Sequence, residues 1–195
     1  KLLPTTILRP PVLAGREREW QQMEEAWEEG KLIFLSGEAG SGKSRLATDF
    51  LTSKGKFVYE SARPGDVHIP YSTHILLIRS HLQRYHSYEP PLWVRQALSP
   101  WFPEFGANVV SSPNPQTQFA EASLEIMRQI GVHGEAMVVD DFQFMDDGTV
   151  QVGTYIFSQL MPLRTPGNMQ GFVGCFRGAE LSPFFKEQVA NMVAS

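Results

Sequence analysis

The segment from Gly37 to Ser44 reads Gly-Glu-Ala-Gly-Ser-Gly-Lys-Ser and matches the phosphate-binding pattern G-x-x-x-x-G-K-[ST] at every fixed position. Glycines let the backbone wrap around a phosphate, and the N-terminus of a following helix adds positive charge there. The pattern predicts that Lys43 reaches the β- and γ-phosphates of a nucleotide and that the Ser44 hydroxyl is a ligand of Mg²⁺. The alternative interpretation is a Gly/Ser-rich turn that happens to contain a lysine.

The residues on either side of this segment favour the phosphate-binding interpretation. The apolar run 32–35 is typical of a short buried strand, and residues 45–51 have the apolar spacing of a helix. Strand, loop and helix therefore follow one another in the order that the pattern requires. Contacts with ATP or ADP are predicted for the loop and the residue after it, namely Gly37, Glu38, Ala39, Gly40, Ser41, Gly42, Lys43, Ser44 and Arg45.

Two adjacent acids follow a second apolar run, 136–139, which predicts another buried strand. The first acid, Asp140, is predicted to hold Mg²⁺ through water, because this ion keeps much of its hydration shell. The second, Asp141, is predicted to orient or deprotonate the water that attacks the γ-phosphate. A strand between the phosphate-binding loop and these acids would place the acids beside the loop in the sheet. Alternatively, both acids only cap a strand and begin a turn.

Arg177 ends a third apolar run, 169–176, which predicts a further strand. If that strand is adjacent to the one bearing the acids, it brings a cation near the γ-phosphate, where positive charge stabilises the transferring phosphoryl group. A surface arginine is the competing interpretation. Arg16 is a weaker candidate, for a contact near the nucleotide base. The predicted catalytic residues are Lys43, Asp140, Asp141 and Arg177.

The rest of the chain predicts the elements that position these residues. Periodicity favours amphipathic or buried helices at about 15–29, 117–130, 148–160 and 182–193 and a further strand at 57–59 that completes a parallel βαβ unit. The prediction is an α/β domain over 15–195, a three-layer P-loop NTPase fold with a central, mostly parallel sheet. Residues 1–14 are predicted to form an arm or linker. The stretch of about 61–116, which contains many prolines, is predicted to be a helical insertion.

Composition narrows the function classes. The 195 residues carry a net charge of −4, which gives no electrostatic reason for direct binding of nucleic acid or of an anionic membrane. A single cysteine, Cys175, excludes an intrachain disulfide and favours a cytoplasmic location, and no apolar stretch is long enough to cross a bilayer. The spacing of four histidines matches no common metal-ligand pattern, so core or surface roles are favoured for His68, His74, His81 and His86.

Several segments together resemble the ATPase module of the STAND class, which is related to AAA+ proteins. The resemblance is nearest to bacterial multidomain regulators that are MalT-like or carry a bacterial transcriptional activator domain. It covers nearly the whole chain, the proline-rich middle included, and is carried by residues 13–20, 37–44, 137–146 and 171–177. It departs from the family pattern where Phe144-Met145-Asp146 replaces the usual Trp-Ala-Asp after the acids.

The resemblance implies an ATP-driven switch that hydrolyses ATP slowly, is closed with ADP, and opens and self-associates with ATP. It also implies a base-binding role for Arg16, a γ-phosphate sensor role for Arg177, and further domains of a longer chain, including a helical lid and a winged helix after Ser195. Two other functions remain open. One is a scaffold that binds nucleotide without hydrolysing it, and the other, which the paired acids favour less, is a P-loop kinase of a small molecule.

Overall fold

Four short runs of apolar residues form one parallel sheet at the centre of the molecule. A computed structural model describes residues 14–106, 113–132, 134–160 and 171–194. The strands run side by side in the order β1-β4-β3-β2, and every pairing is parallel. The C-terminal ends of β1, β4 and β3 therefore meet at one edge of the sheet. The strand bounds are β1 Ile33–Ser36, β2 Phe57–Ser61, β3 Ala136–Asp140 and β4 Phe172–Phe176.

Seven α-helices surround this sheet in the described part of the chain. They confirm the predicted α/β class, and the helices for which a range was predicted above begin and end within a few residues of that range. The predicted arm (apart from Ala14), the first residues of the third apolar run and the turn that precedes it lie outside the described residues. The helix bounds are α1 Glu17–Glu28, α2 Lys43–Lys54, α3 Ser72–Arg84, α4 Leu92–Leu98, α5 Pro115–Val132, α6 Asp147–Leu160 and α7 Pro183–Ala194.

Both faces of the sheet are covered, which gives the three layers. All residues of β3 and β4 are buried, as expected for parallel strands with helices on both sides. On one face, α1 and α2 pack on alternate strand residues such as Val138 and Val173. Here the Trp20 and Trp27 rings pack edge-on against Phe50, with centroids 5.2 and 5.7 Å away. A larger hydrophobic cluster covers the opposite face and includes residues of α3 to α7.

The helical stretch between β2 and α5 packs on this larger cluster, and the buried carboxylate of Asp146 helps to hold it there. Asp146, just before α6, accepts hydrogen bonds through Oδ1 from the backbone N–H of Thr149 at 2.9 Å and from that of Tyr71 at 3.0 Å. The first contact caps α6, and the second holds Tyr71, which has a left-handed backbone with φ of 63° just before α3. The acid retained from the family pattern therefore has a structural role in joining the insertion to α6.

The predicted core or surface roles of the histidines agree with their positions in the structure. His74 and His81 are buried in α3, whereas His68 and His86 are exposed. No cluster of three or more potential His, Cys, Asp or Glu metal ligands occurs within the described ranges. No helix of those ranges combines the length and the apolar character needed to cross a membrane.

Gly171 supplies a test of how tightly β4 packs against α1. Its φ of 147° is unfavourable for a residue with a side chain, and an added Cβ would overlap the Trp27 ring. We expect Gly171→Ala to lower the free energy of unfolding by about 3 kcal/mol, measured by denaturant titration. Gly65→Ala is the matched control, because a Cβ there meets no atom within 4 Å. Equal stability of the two variants would contradict the packing described.

His74 makes stability depend on pH. Burial lowers the pKa of His74 from 6.5 to about 4, against the opposing effects of the Thr149 backbone and the Asp146 carboxylate. The unfolded chain therefore binds the proton more readily, so this contribution to stability is complete above pH 6.5 and is lost as the pH falls through 4. We expect the loss of unfolding free energy between pH 7 and pH 4.5 to be smaller in His74→Gln than in the wild type. The exposed His68→Gln should behave like the wild type, and a His74→Gln profile that matches the wild type would refute the assignment.

Candidate nucleotide site

The loop between β1 and α2 is open at its crest. Gly40 and Gly42 have left-handed backbones with φ of 75° and 86°, and a Cβ at either position would meet no atom within 4 Å. Glycine is therefore favoured here by backbone conformation, and the space beside both residues is free for a ligand. The Gly37 N–H donates to the Phe176 carbonyl at 3.3 Å, which connects the start of the loop to the end of β4.

The side chain of Lys43 lies back along this loop. Its Nζ donates to the carbonyl oxygens of Gly37 and Glu38, both at 2.8 Å, and lies 3.4 Å from the Ser41 hydroxyl. Because Lys43 is also the first residue of α2, its charge lies where the N-terminal end of the helix already carries partial positive charge. The loop thus combines glycines, an ammonium group and a helix N-terminus, which is the arrangement that binds phosphate.

Arg16, just before α1, contacts the same loop. Its Nη2 donates to the Ser41 carbonyl at 2.5 Å, and its Nη1 forms an ion pair with Glu19 at 2.6 Å. The guanidinium therefore connects α1 to the loop backbone. A contact between Arg16 and a nucleotide base stays a prediction.

Two other predicted contacts lie on the first turn of α2. Ser44 is exposed, and its carbonyl accepts a hydrogen bond from the Thr48 hydroxyl at 2.9 Å. Arg45 pairs with Asp49 one turn further along, at 3.2 Å. The Ser44 side chain is therefore accessible beside the loop, while the Arg45 side chain has a partner within the helix.

Asp140 ends β3 and is almost fully buried, with 5% of its surface exposed. Both carboxylate oxygens have partners: Oδ1 accepts the N–H of Asp141 and Oδ2 accepts the hydroxyl of Tyr59, each at 2.8 Å. Burial and the Asp140 carboxylate raise the pKa of Tyr59, so this phenol is protonated and donates at neutral pH. The Asp140 carboxylate is thus held in one orientation at the edge of the sheet where the loop lies.

Asp141 turns the chain sharply after β3. Its backbone is left-handed, with φ of 53°, a conformation that asparagine and aspartate adopt more readily than most residues. Its Oδ1 accepts from Gln143 Nε2 at 2.7 Å and lies 3.7 Å from Arg177 Nη2. The Gln143 amide oxygen in turn accepts the N–H of Arg177 at 3.1 Å. One glutamine side chain therefore connects the second acid to the end of β4.

Arg177 follows β4 directly and faces the acids. Besides Asp141 it pairs with Glu180, at 3.0 Å, and its guanidinium lies 5.7 Å from the centre of the Phe144 ring. The hydrogen bond to Glu180 is the main reason that the pKa of Arg177 is raised, and the charges of Asp141 and Glu38 add to it. The arginine is thus within electrostatic range of both the loop and the second acid.

The buried thiol of Cys175, in β4, lies close to both acids and to Lys43. Burial is the main reason that the pKa of Cys175 is raised to about 12; the Asp140 and Asp141 carboxylates act in the same direction, and Lys43 acts in the opposite one. The structure therefore brings the four predicted catalytic residues together around the C-terminal end of β4. The β4 strand lies between β1 and β3 in the sheet, so one strand separates the loop from the acids.

The donors at this edge suit Mg²⁺. Ser44 offers a hydroxyl and Asp140 a carboxylate, which are hard oxygen ligands. Mg²⁺ commonly uses one or two protein oxygens together with phosphate oxygens and water, so a full cage of protein ligands is not needed. The donor set fits this ion, and Ser44 and Asp140 are the residues that would hold it.

Sequence reasoning did not assign functions to Tyr59 or Gln143. No local pattern marks Tyr59, because its contact depends on β2 pairing with β3, which is a matter of strand order. Gln143 lies two residues after the second acid, within the segment that carried the resemblance. Its position was therefore visible in the sequence, but its contact with the following strand was not.

Comparison with known proteins agrees with this geometry. The family model described as AAA ATPase domain matches residues 12–168, which include the loop and both acids. The chain therefore belongs to the AAA ATPase domain family. A comparison with curated proteins found no match. The family match ends before Arg177, so the place of that residue in the site rests on the structure alone.

The contact of Arg16 with the loop backbone yields a prediction that separates loop binding from base binding. We expect Arg16→Ala to weaken binding of ADP and of the base-free ligand tripolyphosphate by a similar factor, roughly tenfold, the value of one hydrogen bond from a charged group. Calorimetric titration with each ligand measures both affinities. The exposed Arg18→Ala on the same helix is the control. A loss of affinity confined to ADP would instead favour the base contact.

Proposed function

We propose that this domain binds ATP and ADP with Mg²⁺, hydrolyses ATP slowly, and acts as the nucleotide-dependent switch of a signal-transducing regulator, in particular a transcriptional one. One observation carries the proposal: Lys43, Asp140, Asp141 and Arg177 lie at the same edge of the sheet, where the open glycine loop contacts the end of β4 and Arg177 pairs with Asp141. The AAA ATPase domain family supports the nucleotide, and the resemblance to STAND regulators supports the switch. The same resemblance supports self-association in the ATP form, and the single cysteine supports a cytoplasmic location.

In this proposal the residues of the loop bind the phosphates. The backbone of residues 37–44 surrounds them, and the Lys43 ammonium exchanges its contacts with the Gly37 and Glu38 carbonyls for phosphate oxygens. Bound Mg²⁺ neutralises charge that develops on the phosphates during transfer. Ser44 and Asp140 hold that ion, and Asp140 does so from an orientation that its two hydrogen bonds fix.

Asp141 is the proposed residue that orients the attacking water. Both of its side-chain contacts described above use Oδ1, so Oδ2 is the oxygen proposed to accept the hydrogen bond from water. The Gln143 amide prevents the carboxylate from rotating freely, and the left-handed backbone directs the residue away from the line of β3. Fixed geometry of this kind supplies much of the catalytic effect in phosphoryl transfer.

Arg177 is the proposed sensor of the γ-phosphate. In this structure its guanidinium contacts Asp141 and Glu180. A γ-phosphate competes with these carboxylates for the guanidinium, because an arginine binds phosphate oxygens at least as well as it binds carboxylate oxygens. Its presence would release Glu180, which lies in the turn just before α7, and so relay the state of the nucleotide to that helix.

A scaffold that binds nucleotide without hydrolysis is the second candidate. It is favoured by the ion pair between Asp141 and Arg177, which engages the proposed water-orienting residue with a cation. Single-turnover hydrolysis distinguishes the two candidates. Phosphate release by the wild type that exceeds release by Asp140→Asn supports the ATPase, and equal release supports the scaffold.

Lys43→Ala tests the assignment of the site. We expect it to weaken ADP and ATP binding by roughly 10- to 100-fold, since it removes a charged donor worth about 1.5–3 kcal/mol. Calorimetric titration of the 195-residue chain with each nucleotide and Mg²⁺ measures the change. The exposed Lys56→Ala is the matched control. Unchanged affinity in folded Lys43→Ala would show that the loop is not the nucleotide site.

A further inference from the structure

The hydroxyl of Tyr59 contacts the carboxylate that the proposed function assigns to Mg²⁺. Tyr59 lies on β2 and pairs in register with Val138 of β3, two residues before Asp140. Because side chains alternate between the faces of a strand, Tyr59, Val138 and Asp140 lie on the same face. A diagonal neighbour of this kind is about 7–8 Å away along the sheet, a distance that a tyrosine side chain spans. The phenol reaches Asp140 Oδ2 at 2.8 Å.

This contact gives a donor to the second oxygen of a carboxylate that has little access to solvent. Only 5% of the Asp140 surface is exposed, and its other oxygen accepts the N–H of Asp141. A backbone N–H on Oδ1 leaves the carboxylate free to pivot about that contact, whereas a second donor on Oδ2 fixes its plane. The two donors approach different oxygens, so each oxygen keeps lone-pair capacity for a metal ion or its water.

Tyr59 is poorly explained as a core residue. It is 41% exposed and lies outside both hydrophobic clusters that cover the sheet. The hydroxyl, located at the end of a rigid ring, is the part of the side chain with a specific partner.

We propose that Tyr59 is a positioning residue whose hydroxyl holds the Asp140 carboxylate in the orientation that binds Mg²⁺ with nucleotide. The inference rests on the proposed function, since it requires Asp140 to serve the metal. Tyr59 acts through Asp140 and touches neither nucleotide nor metal. Mutation of a residue that hydrogen-bonds a metal ligand in this way typically weakens metal affinity by about 10- to 100-fold.

Tyr59→Phe removes only the hydroxyl, and the chain supplies a closely matched control. The Tyr155 hydroxyl also donates to a carboxylate, that of Glu121, on an exposed surface between α6 and α5. Tyr155→Phe therefore makes the same chemical change to the same kind of pair away from the site. Circular dichroism and thermal unfolding of both variants establish that each is folded.

Electron paramagnetic resonance measures the binding of Mn²⁺ to the 195-residue chain saturated with ADP. The affinity for ADP without metal is measured in EDTA. We expect Tyr59→Phe to weaken Mn²⁺ binding about tenfold while metal-free ADP affinity stays unchanged. Tyr155→Phe should match the wild type in both measurements. This pattern distinguishes a positioning role from a general loss of structure, which would lower both affinities.

Two outcomes would overturn the role of Tyr59 without affecting the proposed function. One is a Mn²⁺ affinity of Tyr59→Phe equal to that of the wild type, and the other is an equal loss of Mn²⁺ affinity in Tyr155→Phe. In either case the proposed function stands if Asp140→Asn weakens Mn²⁺ binding. If the wild type with ADP takes up no Mn²⁺, or if Asp140→Asn binds it unchanged, the proposed metal role of Asp140 fails and the inference fails with it.

Discussion

Backbone pairing of β4 with both β1 and β3 is the constraint on which the site depends. A parallel sheet places the carboxyl ends of neighbouring strands at one edge, so the loop after β1, the acids after β3 and the arginine after β4 meet there. The centre of β4 has no room for a side chain at Gly174, because the Phe142 and Phe34 rings cover the strand there. An added Cβ would lie 2.8 Å from Phe142 and 2.9 Å from Phe34. This packing lies directly below the loop and the acids, because Phe34 is three residues before Gly37 and Phe142 follows Asp141.

The charged groups at this edge already have partners within the protein. Lys43 donates to loop carbonyls, Arg16 to another carbonyl, and Arg177 contacts two carboxylates. Because buried or partly buried charge is costly without a partner, these contacts stabilise the domain before a nucleotide arrives. In the proposed function, nucleotide binding is an exchange of partners, in which phosphate replaces carbonyl and carboxylate oxygens. An exchange of this kind couples the ligand to the surrounding elements, which a set of unengaged charges would not do.

The residues of the site that sequence predicted are those with a local pattern. The loop was recognised from eight consecutive residues, and Asp140 and Asp141 from the apolar run before them. The strand order depends on tertiary packing, so the neighbours of Arg177 and the partner of Tyr59 were not predictable from local spacing. Arg16 illustrates the same limit: its predicted contact near the base comes from the family resemblance, and its hydrogen bond to the Ser41 carbonyl, 25 residues away in the chain, was not predictable from local spacing.

The helical stretch between β2 and α5 is part of the same folding unit as the sheet. Asp146 receives the Tyr71 N–H from that stretch, and the Tyr71 ring stacks against Phe119 of α5 with centroids 4.4 Å apart. Evolution often adds and removes surface insertions without loss of the parent domain. Here excision would leave a buried carboxylate short of one donor and uncover the α5 surface. These two contacts therefore make the folding of the stretch and of the rest of the domain depend on each other.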